Sequence, residues 1–449
     1  MHATRTFSLA AAVAASLLAA PHADAAWTRA STYTNTYSNT VTQMNSNTTG
    51  HVSVSTNTNT YTYNGTQTRT QTTTFNLPTR YVQPTEFASS EIQSYGESAT
   101  PCNGNCAEPG ALYATELSGF LEATALNDMG DVVGQINGTL TSNRRPHAGI
   151  WEDGTVSDLG MIGCRFSVSN CWSKALGMNN LGTVVGESHL ASPFGSPYYS
   201  YWSVYYAHEA IFRNGQVAPL KSIGWEYGAA EDINNRGTVV GHSRSTDWVN
   251  ANGDYLVHGY VLKDGAIHEI GSYGQTSRAV AVNDSDVATG EIAIEGYSRA
   301  YQWTDGVVTV LGHLGGLTSR GKDIANSGGA VVGESADAQG TTHATLWVGT
   351  EVIDLGMLPG SSTSSANAIN EAHTIVGRSG KSAAMWQLGR IFDLNDYVVL
   401  ADSVRLIEAI DINNHGEILA KGSDGKFYLI SPVVGSGAAL EFKANRQPN

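Results

Sequence analysis

Two short sequence patterns alternate along the chain from about residue 111 onward, and their recurrence limits the possible folds more than any other feature. The first pattern is ALNDMGDVVG at residues 125–134, and the second is HAGIWEDGTVSDLG at residues 147–160. Both recur in seven copies spaced by roughly 42–55 residues, and the last copy of the second pattern is truncated to KFYLISP. This spacing predicts an all-β, seven-bladed β-propeller with four strands in each blade.

Each copy divides into four short apolar runs, which we name strands a, b, c and d. Strand a ends at an Asn, strand b is the VVG run, and strand c begins with a His in several copies. The Asn-rich and Gly-rich sequences between a and b are typical of turns that need positive φ. The residues that recur there are therefore predicted to build turns before they bind ligands: Asn127, Asp128, Asn179, Asn234, Asn283, Asn370 and Asn413.

The last copy lacks a strand d, and the segment LYATELSG (residues 112–119), just before the first strand a, resembles the missing piece. We therefore predict that residues 112–119 pair with residues 426–432, so that an N-terminal strand closes the ring. Closure removes the exposed sheet edges that promote aggregation. The predicted propeller then spans residues 111–432.

The first 25 residues are typical of a secretory signal peptide. Arg5 supplies a short basic region, an apolar stretch runs from Phe7 to Ala20, and Ala23-Asp24-Ala25 is an A-x-A cleavage site. The apolar stretch is too short to span a bilayer comfortably as a transmembrane helix. No second apolar stretch follows it, and the C-terminal tail at residues 433–449 is not expected to hold a membrane anchor. We expect a secreted protein without a transmembrane segment, extracellular or periplasmic.

Residues 26–110 form an extension and linker dominated by Thr, Asn, Ser and Tyr. Few large aliphatic residues are present to form a core, which favours an irregular spacer over an adhesive or ice-ordering Thr ladder. The four cysteines of the chain suggest two disulfides in an exported protein, with local pairing the simplest of three connectivities. A zinc site is the competing hypothesis, but the spacings match no usual pattern; the cysteines are Cys102, Cys106, Cys164 and Cys171.

The repeats over residues 112–432 resemble the HAF family of probable extracellular repeat proteins, named for the His-Ala-Phe start of strand c. The closing sequences DLNDYV, INNHGEI and FYLISP also resemble the usual C-terminal end of that family. This chain departs from the pattern at Arg299 and Ala383, which replace the His, and at Leu262, which replaces the aromatic residue. The resemblance implies an exported, propeller-like domain of largely undefined biochemistry.

The loops that join b to c and d to a lie on one face of such a propeller, and two of the b–c loops are long and rich in Tyr and Trp (residues 188–207 and 243–257). Clustered aromatic rings suit sugar rings or a protein partner, although packing of the loops onto the domain is an equal alternative. The predicted ligand-binding residues, including polar ones at the mouth of the central channel, are Trp202, Tyr205, Trp248, Tyr255, Arg278, Arg320 and Asp323.

Charged residues interrupt the pattern near the ends of strand a: Glu231, Asp232, Arg278, Arg320, Lys322, Asp323, Glu408 and Asp411. They are predicted to line the central channel, either as a paired, solvated lining or as acid–base groups acting on a polysaccharide. Glu231 and Asp232 are neighbours on a strand and are expected to point to opposite faces. The His residues that begin strand c are predicted to make a structural hydrogen bond in each blade rather than to bind metal: His147, His208, His258 and His343.

The chain has a net charge of −15 and a pI near 5.2, so it offers no broad cationic surface for nucleic acid. It contains no P-loop, G-x-S-x-G or H-E-x-x-H sequence, and no cofactor or metal is predicted. We therefore predict a non-catalytic binding or cell-surface interaction protein for a glycan or protein ligand. A polysaccharide-cleaving lyase or hydrolase that uses the same face is the alternative.

Overall fold

The computed structural model describes residues 54–63, 67–76, 112–138, 145–162, 172–190, 206–213, 215–221, 227–249, 255–271, 275–349, 351–398, 400 and 403–432. From Leu112 onward, the described residues form seven blades of four antiparallel strands each, which confirms the predicted β-propeller. Two further strands, β1 (Val54–Tyr63) and β2 (Gln67–Asn76), lie in the Thr/Asn-rich region and neighbour each other.

In the first six blades, strands a to d follow the order of the chain. Blade 1 consists of β4 (Phe120–Leu126), β5 (Val132–Asn137), β6 (Pro146–Glu152) and β7 (Thr155–Gly160), and blade 2 consists of β8 (Ser173–Met178), β9 (Val184–Leu190), β10 (Tyr206–Arg213) and β11 (Gln216–Pro219). Blade 3 consists of β12 (Gly228–Ile233), β13 (Val239–Val249), β14 (Tyr255–Lys263) and β15 (Ala266–Ile270). Blade 4 consists of β16 (Ser277–Val282), β17 (Ala288–Ile294), β18 (Tyr297–Thr304) and β19 (Val307–Val310). Blade 5 consists of β20 (Gly315–Ile324), β21 (Val331–Asp337), β22 (Thr342–Val348) and β23 (Glu351–Asp354), and blade 6 consists of β24 (Ser364–Ile369), β25 (Ile375–Ser379), β26 (Ser382–Gln387) and β27 (Arg390–Asp393). Blade 7 takes its strand d from the N-terminal side of the ring: β28 (Leu406–Ile412), β29 (Ile418–Gly422), β30 (Phe427–Pro432) and β3 (Leu112–Glu116). A 3₁₀ turn, Leu394–Asp396, follows blade 6.

The ring closes as the sequence predicts. Strand β3 pairs antiparallel with β30, from Leu112 opposite Pro432 to Glu116 opposite Tyr428. Lys426 Nζ lies 2.7 Å from Glu116 Oε2, which adds an exposed ion pair across the same junction. Blade 7 therefore unites two segments that lie at opposite ends of the propeller sequence.

The hydrophobic core lies between the blades rather than within them. Among the described residues there are seven apolar clusters, and each draws its side chains from two adjacent blades. The aromatic residue of strand c supplies much of this packing, since Trp303, Trp347 and Trp386 are 1 % exposed. Apolar burial of this kind is the main stabilising contribution to folding, so each blade depends on both of its neighbours.

Strand a carries a β-bulge in every described blade, opposite the third residue of strand b, which is glycine in six blades and Ala420 in blade 7. A Cβ at that glycine would overlap the carbonyl oxygen of the bulged strand, as at Gly290 and Gly333, which explains why the run ends in glycine in six blades of the described chain. The bulge also re-aims side chains. Glu231 is the residue at which the register of blade 3 shifts, and both Glu231 and Asp232 are among the residues that line the channel cavity.

The b–c connection of blade 3 is shorter than the sequence suggests. Strand β13 continues to Val249 and β14 starts at Tyr255, so much of the predicted loop at residues 243–257 is strand. The register breaks between Arg244 and Val249. The Thr, Trp and Val residues of this segment favour an extended strand, which explains why β13 continues into the predicted loop.

Candidate functional site

The two faces of the propeller differ in how their channel mouths are built. We call the face with the a–b turns the lower face, and the face with the b–c and d–a connections the upper face. Side chains of the seven described strands a line the channel between them, with a lower cavity of about 270 Å³ and an upper cavity of about 650 Å³. The two cavities share a layer of lining residues: Thr124, Leu176, Glu231, Val280 and Ile410.

The repeated Asn residues surround the lower mouth and act as the sequence predicts. The Oδ1 atom of Asn179 accepts hydrogen bonds from the backbone N–H groups of Leu181 and Thr183, at 3.1 and 3.0 Å. Its Nδ2 group donates to the carbonyl oxygen of Asn234 in the next blade, at 3.0 Å. The Nδ2 groups of five further Asn residues donate in the same way to a backbone carbonyl oxygen of the next blade: Asn127, Asn234, Asn283, Asn370 and Asn413. Each Asn therefore closes its own turn and connects two blades.

A second ring of hydrogen bonds follows one residue later in each described a–b turn. The backbone N–H of Asp128 donates to Asn180 Oδ1 at 2.9 Å, and the backbone N–H of Asn414 donates to Asp128 Oδ1 at 2.9 Å. The same type of hydrogen bond, from a backbone N–H to a side-chain oxygen of the next blade, links the remaining blades. The accepting side chains are those of Asn235, Asp284, Asn326, Glu371 and Asn414. The lower mouth is therefore a closed structural ring whose polar groups are largely engaged.

Three carboxyl groups lie above these rings, and we call them the Asp layer: Asp232, Asp323 and Asp411. Each carboxyl accepts two backbone hydrogen bonds, one from its own strand and one from the next blade. Asp411, for example, accepts from Ile412 at 2.7 Å through Oδ1 and from Leu126 at 2.7 Å through Oδ2. Each of the three residues is partly accessible to solvent.

The environment of the Asp layer favours the neutral carboxyl form. Burial raises the pKa of Asp323 to about 6, that of Asp232 to about 7 and that of Asp411 to about 8, against the opposing effect of the backbone hydrogen bonds. The charge of Asp323 also raises the pKa of Asp232, and both raise the pKa of Asp411. The sequence placed these residues in the channel, but it gave no indication that they form one coupled layer.

The upper cavity combines apolar and charged side chains. Leu121, 46 % exposed, lies at its rim, and Phe427 forms part of its wall. The charged lining residues are Glu122, Lys174, Glu231, Glu408 and Lys421. A volume of this size lies within the range of about 300–1,000 Å³ that small-molecule sites occupy.

Carboxylates near the upper mouth lie close to basic side chains. Lys174 Nζ lies 2.8 Å from Glu122 Oε1, and His242 Nδ1 lies 3.0 Å from Glu231 Oε1. On the opposite side, Arg320 Nε lies 2.8 Å from a Glu291 oxygen, and Lys322 Nζ lies 3.1 Å from Glu334 Oε2. These pairs support the paired-lining hypothesis for the charged residues.

Lys322 also extends a hydrogen-bond network toward the upper cavity. Its Nζ group contacts Ser365 Oγ at 2.6 Å and Asn367 Oδ1 at 3.1 Å. Asn367 in turn donates to Glu408 Oε1 at 3.1 Å. The network holds Glu408, a lining residue of the upper cavity, through contacts that cross three blades.

The predicted binding residues have different positions in the structure. Arg278 and Arg320 are exposed on the upper half of strand a, whereas Asp323 lies deeper, in the Asp layer. Trp248 and Tyr255 lie in the strands β13 and β14, and their side chains are outside the described part. Trp202, Tyr205 and the four cysteines, Cys102, Cys106, Cys164 and Cys171, also lie outside the described residues.

His147 makes the predicted hydrogen bond within its blade, and two of the other His residues at strand c lie close to an acid of strand d. His147 Nδ1 lies 2.9 Å from both carboxylate oxygens of Asp158 on strand d. His258 Nδ1 lies 3.0 Å from Glu269 Oε1, and His343 Nδ1 lies 2.9 Å from Asp354 Oδ2. In blade 2, burial lowers the pKa of His208, and strand d offers Ala218 and Pro219 rather than an acid.

No group of three or more His, Cys, Asp or Glu side chains in the described ranges is arranged to hold a metal ion. The oxygens of the Asp layer point to backbone N–H groups instead. None of the helices in the described ranges is long and apolar enough to cross a membrane.

No protein-family profile and no curated protein sequence matches the chain. Among solved structures, the chain is similar to a puromycin-hydrolyzing peptidase from Mycobacterium tuberculosis (13 % identity, TM-score 0.36), covering 73 % of this chain and 61 % of the peptidase. It is also similar to a gluconolactonase from Xanthomonas campestris (10 % identity, TM-score 0.36, covering 75 % of this chain and 98 % of that one). The WD40 β-propeller domain of Doa1 is a third match (12 % identity, TM-score 0.36, covering 73 % and 97 %). The chain thus spans about three fifths of the length of the peptidase.

Proposed function

We propose that this β-propeller is a non-catalytic binding protein whose upper cavity holds a polar ligand, with a glycan as the expected ligand. One observation carries this proposal: the residues that line the lower mouth repeat from blade to blade, whereas those that line the upper cavity differ. Repetition is what a structural ring requires. A site for one asymmetric ligand requires different groups at equivalent positions.

The chemistry of the upper cavity suits a sugar. Glu231 and Glu408 supply hydrogen-bond acceptors, and Lys174 and Lys421 supply donors. Apolar area at Leu121 lies in the same cavity and can cover the C–H face of a sugar ring. The ion pairs around the mouth hold several of these groups in place before a ligand arrives, which reduces the entropic cost of binding.

A second candidate function, cleavage of a polysaccharide, rests on Glu187. Burial raises the pKa of this carboxyl to about 7. The charge of Lys174 lowers this pKa, and the charge of Glu231 raises it. A carboxyl group that keeps its proton near neutral pH is suitable as a general acid. The ion pair of Glu122 with Lys174 and the contact of Glu231 with His242 argue against this candidate, because glycoside cleavage needs a second carboxylate free to act as base or nucleophile.

The full chain should be tested on a glycan array together with two matched variants. Leu121→Asp introduces a charge at the upper rim, and Leu181→Asp introduces the same charge at an exposed Leu of the lower face, where Leu181 is 75 % exposed. We expect Leu121→Asp to abolish glycan retention and Leu181→Asp to leave it unchanged. Equal retention by both variants, or no retained glycan by the wild type, would contradict the proposal.

An assay for new reducing or unsaturated ends separates the two candidates. No new ends are expected from the wild type on the glycans it retains. Ends that form with the wild type and disappear with Glu187→Gln would favour the enzyme. Capture of a protein with no glycan retained would instead indicate a protein ligand.

We further propose that the protein is exported and belongs with the HAF repeat proteins. The signal-like residues 1–25 and the repeated patterns over residues 112–432 support this proposal. Secretion of the full chain by a bacterial host, followed by sequencing of the mature N-terminus, tests the export. Processing after Ala25 is expected, and an unprocessed chain retained in the cytoplasm would contradict it.

A further inference from the structure

We propose that the Asp layer is a pH-sensitive element of the ring, which is more stable when its three carboxyl groups are protonated. The element needs no ligand and is independent of the proposed binding function. It rests first on the positions of the carboxyl groups.

Each carboxyl of the Asp layer joins two blades. Asp232 accepts a hydrogen bond from the backbone N–H of Val282 in blade 4 at 2.9 Å, and Asp323 accepts one from Ile369 in blade 6 at 2.8 Å. Asp411 accepts one from Leu126 in blade 1 at 2.7 Å, across the junction that closes the ring. Within the described propeller, three of the seven blade interfaces therefore depend directly on these side chains.

The equivalent positions of the other blades carry small residues. By register, Asp232, Asp323 and Asp411 correspond to Ala or Gly in the remaining blades: Ala125, Gly177, Ala281 and Ala368. The three Asp side chains therefore extend further than the Ala or Gly residues at the equivalent positions of the other blades. No cation stands at any of these equivalent positions to neutralise them.

The charged groups that face the layer are mostly of the same sign. The charged side chains that line the lower cavity with it are Asp128, Glu231, Asp284, Glu371 and Lys322. Lys322 is the only cation among the described lining residues, and it already lies 3.1 Å from Glu334 Oε2. Ionisation of the layer therefore places like charges close together with little compensation.

The direction of the pH effect follows from these surroundings. The ordinary pKa of an Asp is 3.8, whereas burial raises the three pKa values of the layer to about 6, 7 and 8. From about pH 4 upward the unfolded chain releases protons that the native ring still holds, so the stability supplied by the layer falls as pH rises. Each carboxyl shifts the unfolding equilibrium constant by about tenfold per pH unit between its unfolded and native pKa. The loss is complete once pH exceeds about 8, the pKa of Asp411.

The experiment compares full-length wild type with Asp411→Ala and Asp411→Asn, measuring Tm from pH 5 to 8.5. Ala is the residue that three other blades carry at this position, so Asp411→Ala is expected to fold. Asp305→Asn is the control, because the Asp305 side chain is 79 % exposed on the surface. We expect the difference in Tm between Asp411→Ala and the wild type to change in favour of the variant as pH rises to about 8, and Asp305→Asn to keep a constant difference from the wild type.

Parallel curves for Asp411→Ala and the wild type would overturn the proposal. A second measurement applies even if the variants fail to fold. Carboxyl ¹³C spectra of wild type labelled at Asp should show three groups that titrate between about pH 5.5 and 8.5, as the native pKa values require. Titration of every Asp below pH 5 would equally overturn it.

Discussion

Replacing Asn179 with Ala removes three hydrogen bonds of the lower ring at once. Oδ1 of this residue accepts two backbone N–H groups of its own turn, and Nδ2 donates to Asn234 in the next blade. The side chain is 5 % exposed. At about 0.5–1.5 kcal/mol for each bond, the variant should lose about 2–4 kcal/mol of unfolding free energy.

The neighbouring Asn180 supplies the matched control. It has the same side chain in the same turn, but it is exposed and makes only the two contacts with Asp128. Asn180→Ala should therefore cost about 1 kcal/mol or less. A domain of roughly 320 residues with an unfolding entropy of about 2.1 cal/mol/K per residue loses about 3–6 °C of Tm for the Asn179 substitution.

Urea unfolding and thermal melts of the two variants test this reasoning together. The midpoint should shift without a change in the denaturant slope, since the native and unfolded ensembles keep their exposed areas. Equal stability losses for Asn179→Ala and Asn180→Ala would show that the buried ring does not act as a set of stabilising hydrogen bonds. An unaltered Asn179→Ala would show that channel water replaces all three.

Other substitutions test the packing and the charged network by the same melts. Leu117→Ala, at a residue 2 % exposed between blades 7 and 1, should cost about 2–5 kcal/mol, and Leu388→Ala, at a residue 69 % exposed, less than about 0.5. Gly333→Ala should cost about 1–3 kcal/mol because its Cβ meets the carbonyl oxygen of the facing bulge. Lys322→Ala should cost about 1–2 kcal/mol because Lys322 contacts three side chains, and Lys381→Ala, at an exposed position, should be silent. Similar losses in a variant and its exposed counterpart, or no loss for Gly333→Ala, would contradict these assignments.

The repeats were sufficient to predict the blade count, the closing strand and the turn role of the Asn residues. These features are expressed locally and many times over, so each copy supports the others. The contact between His147 and Asp158 was predictable for the same reason, because strands c and d are adjacent in sequence. Periodicity of this kind needs no knowledge of distant contacts.

The channel was harder to predict because its lining depends on contacts between blades. The sequence suggested that Glu231 and Asp232 point apart, but it did not indicate the bulge that strand a carries at Glu231. A bulge adds one residue to a strand and leaves little trace in the alternation of apolar positions. The coupling of Asp232, Asp323 and Asp411 likewise requires knowing that three blades of the ring bring them to one level.

Strand β3 has a consequence for how the molecule assembles. Glu116 and Lys426 meet although 310 residues separate them in the chain, so this blade gains its outer strand only after the other six have been made. Until then β30 offers an unpaired edge to any extended peptide nearby. A circular permutation that joins β30 directly to β3 would turn this late, long-range encounter into a hairpin, and refolding should become faster at nearly unchanged final architecture.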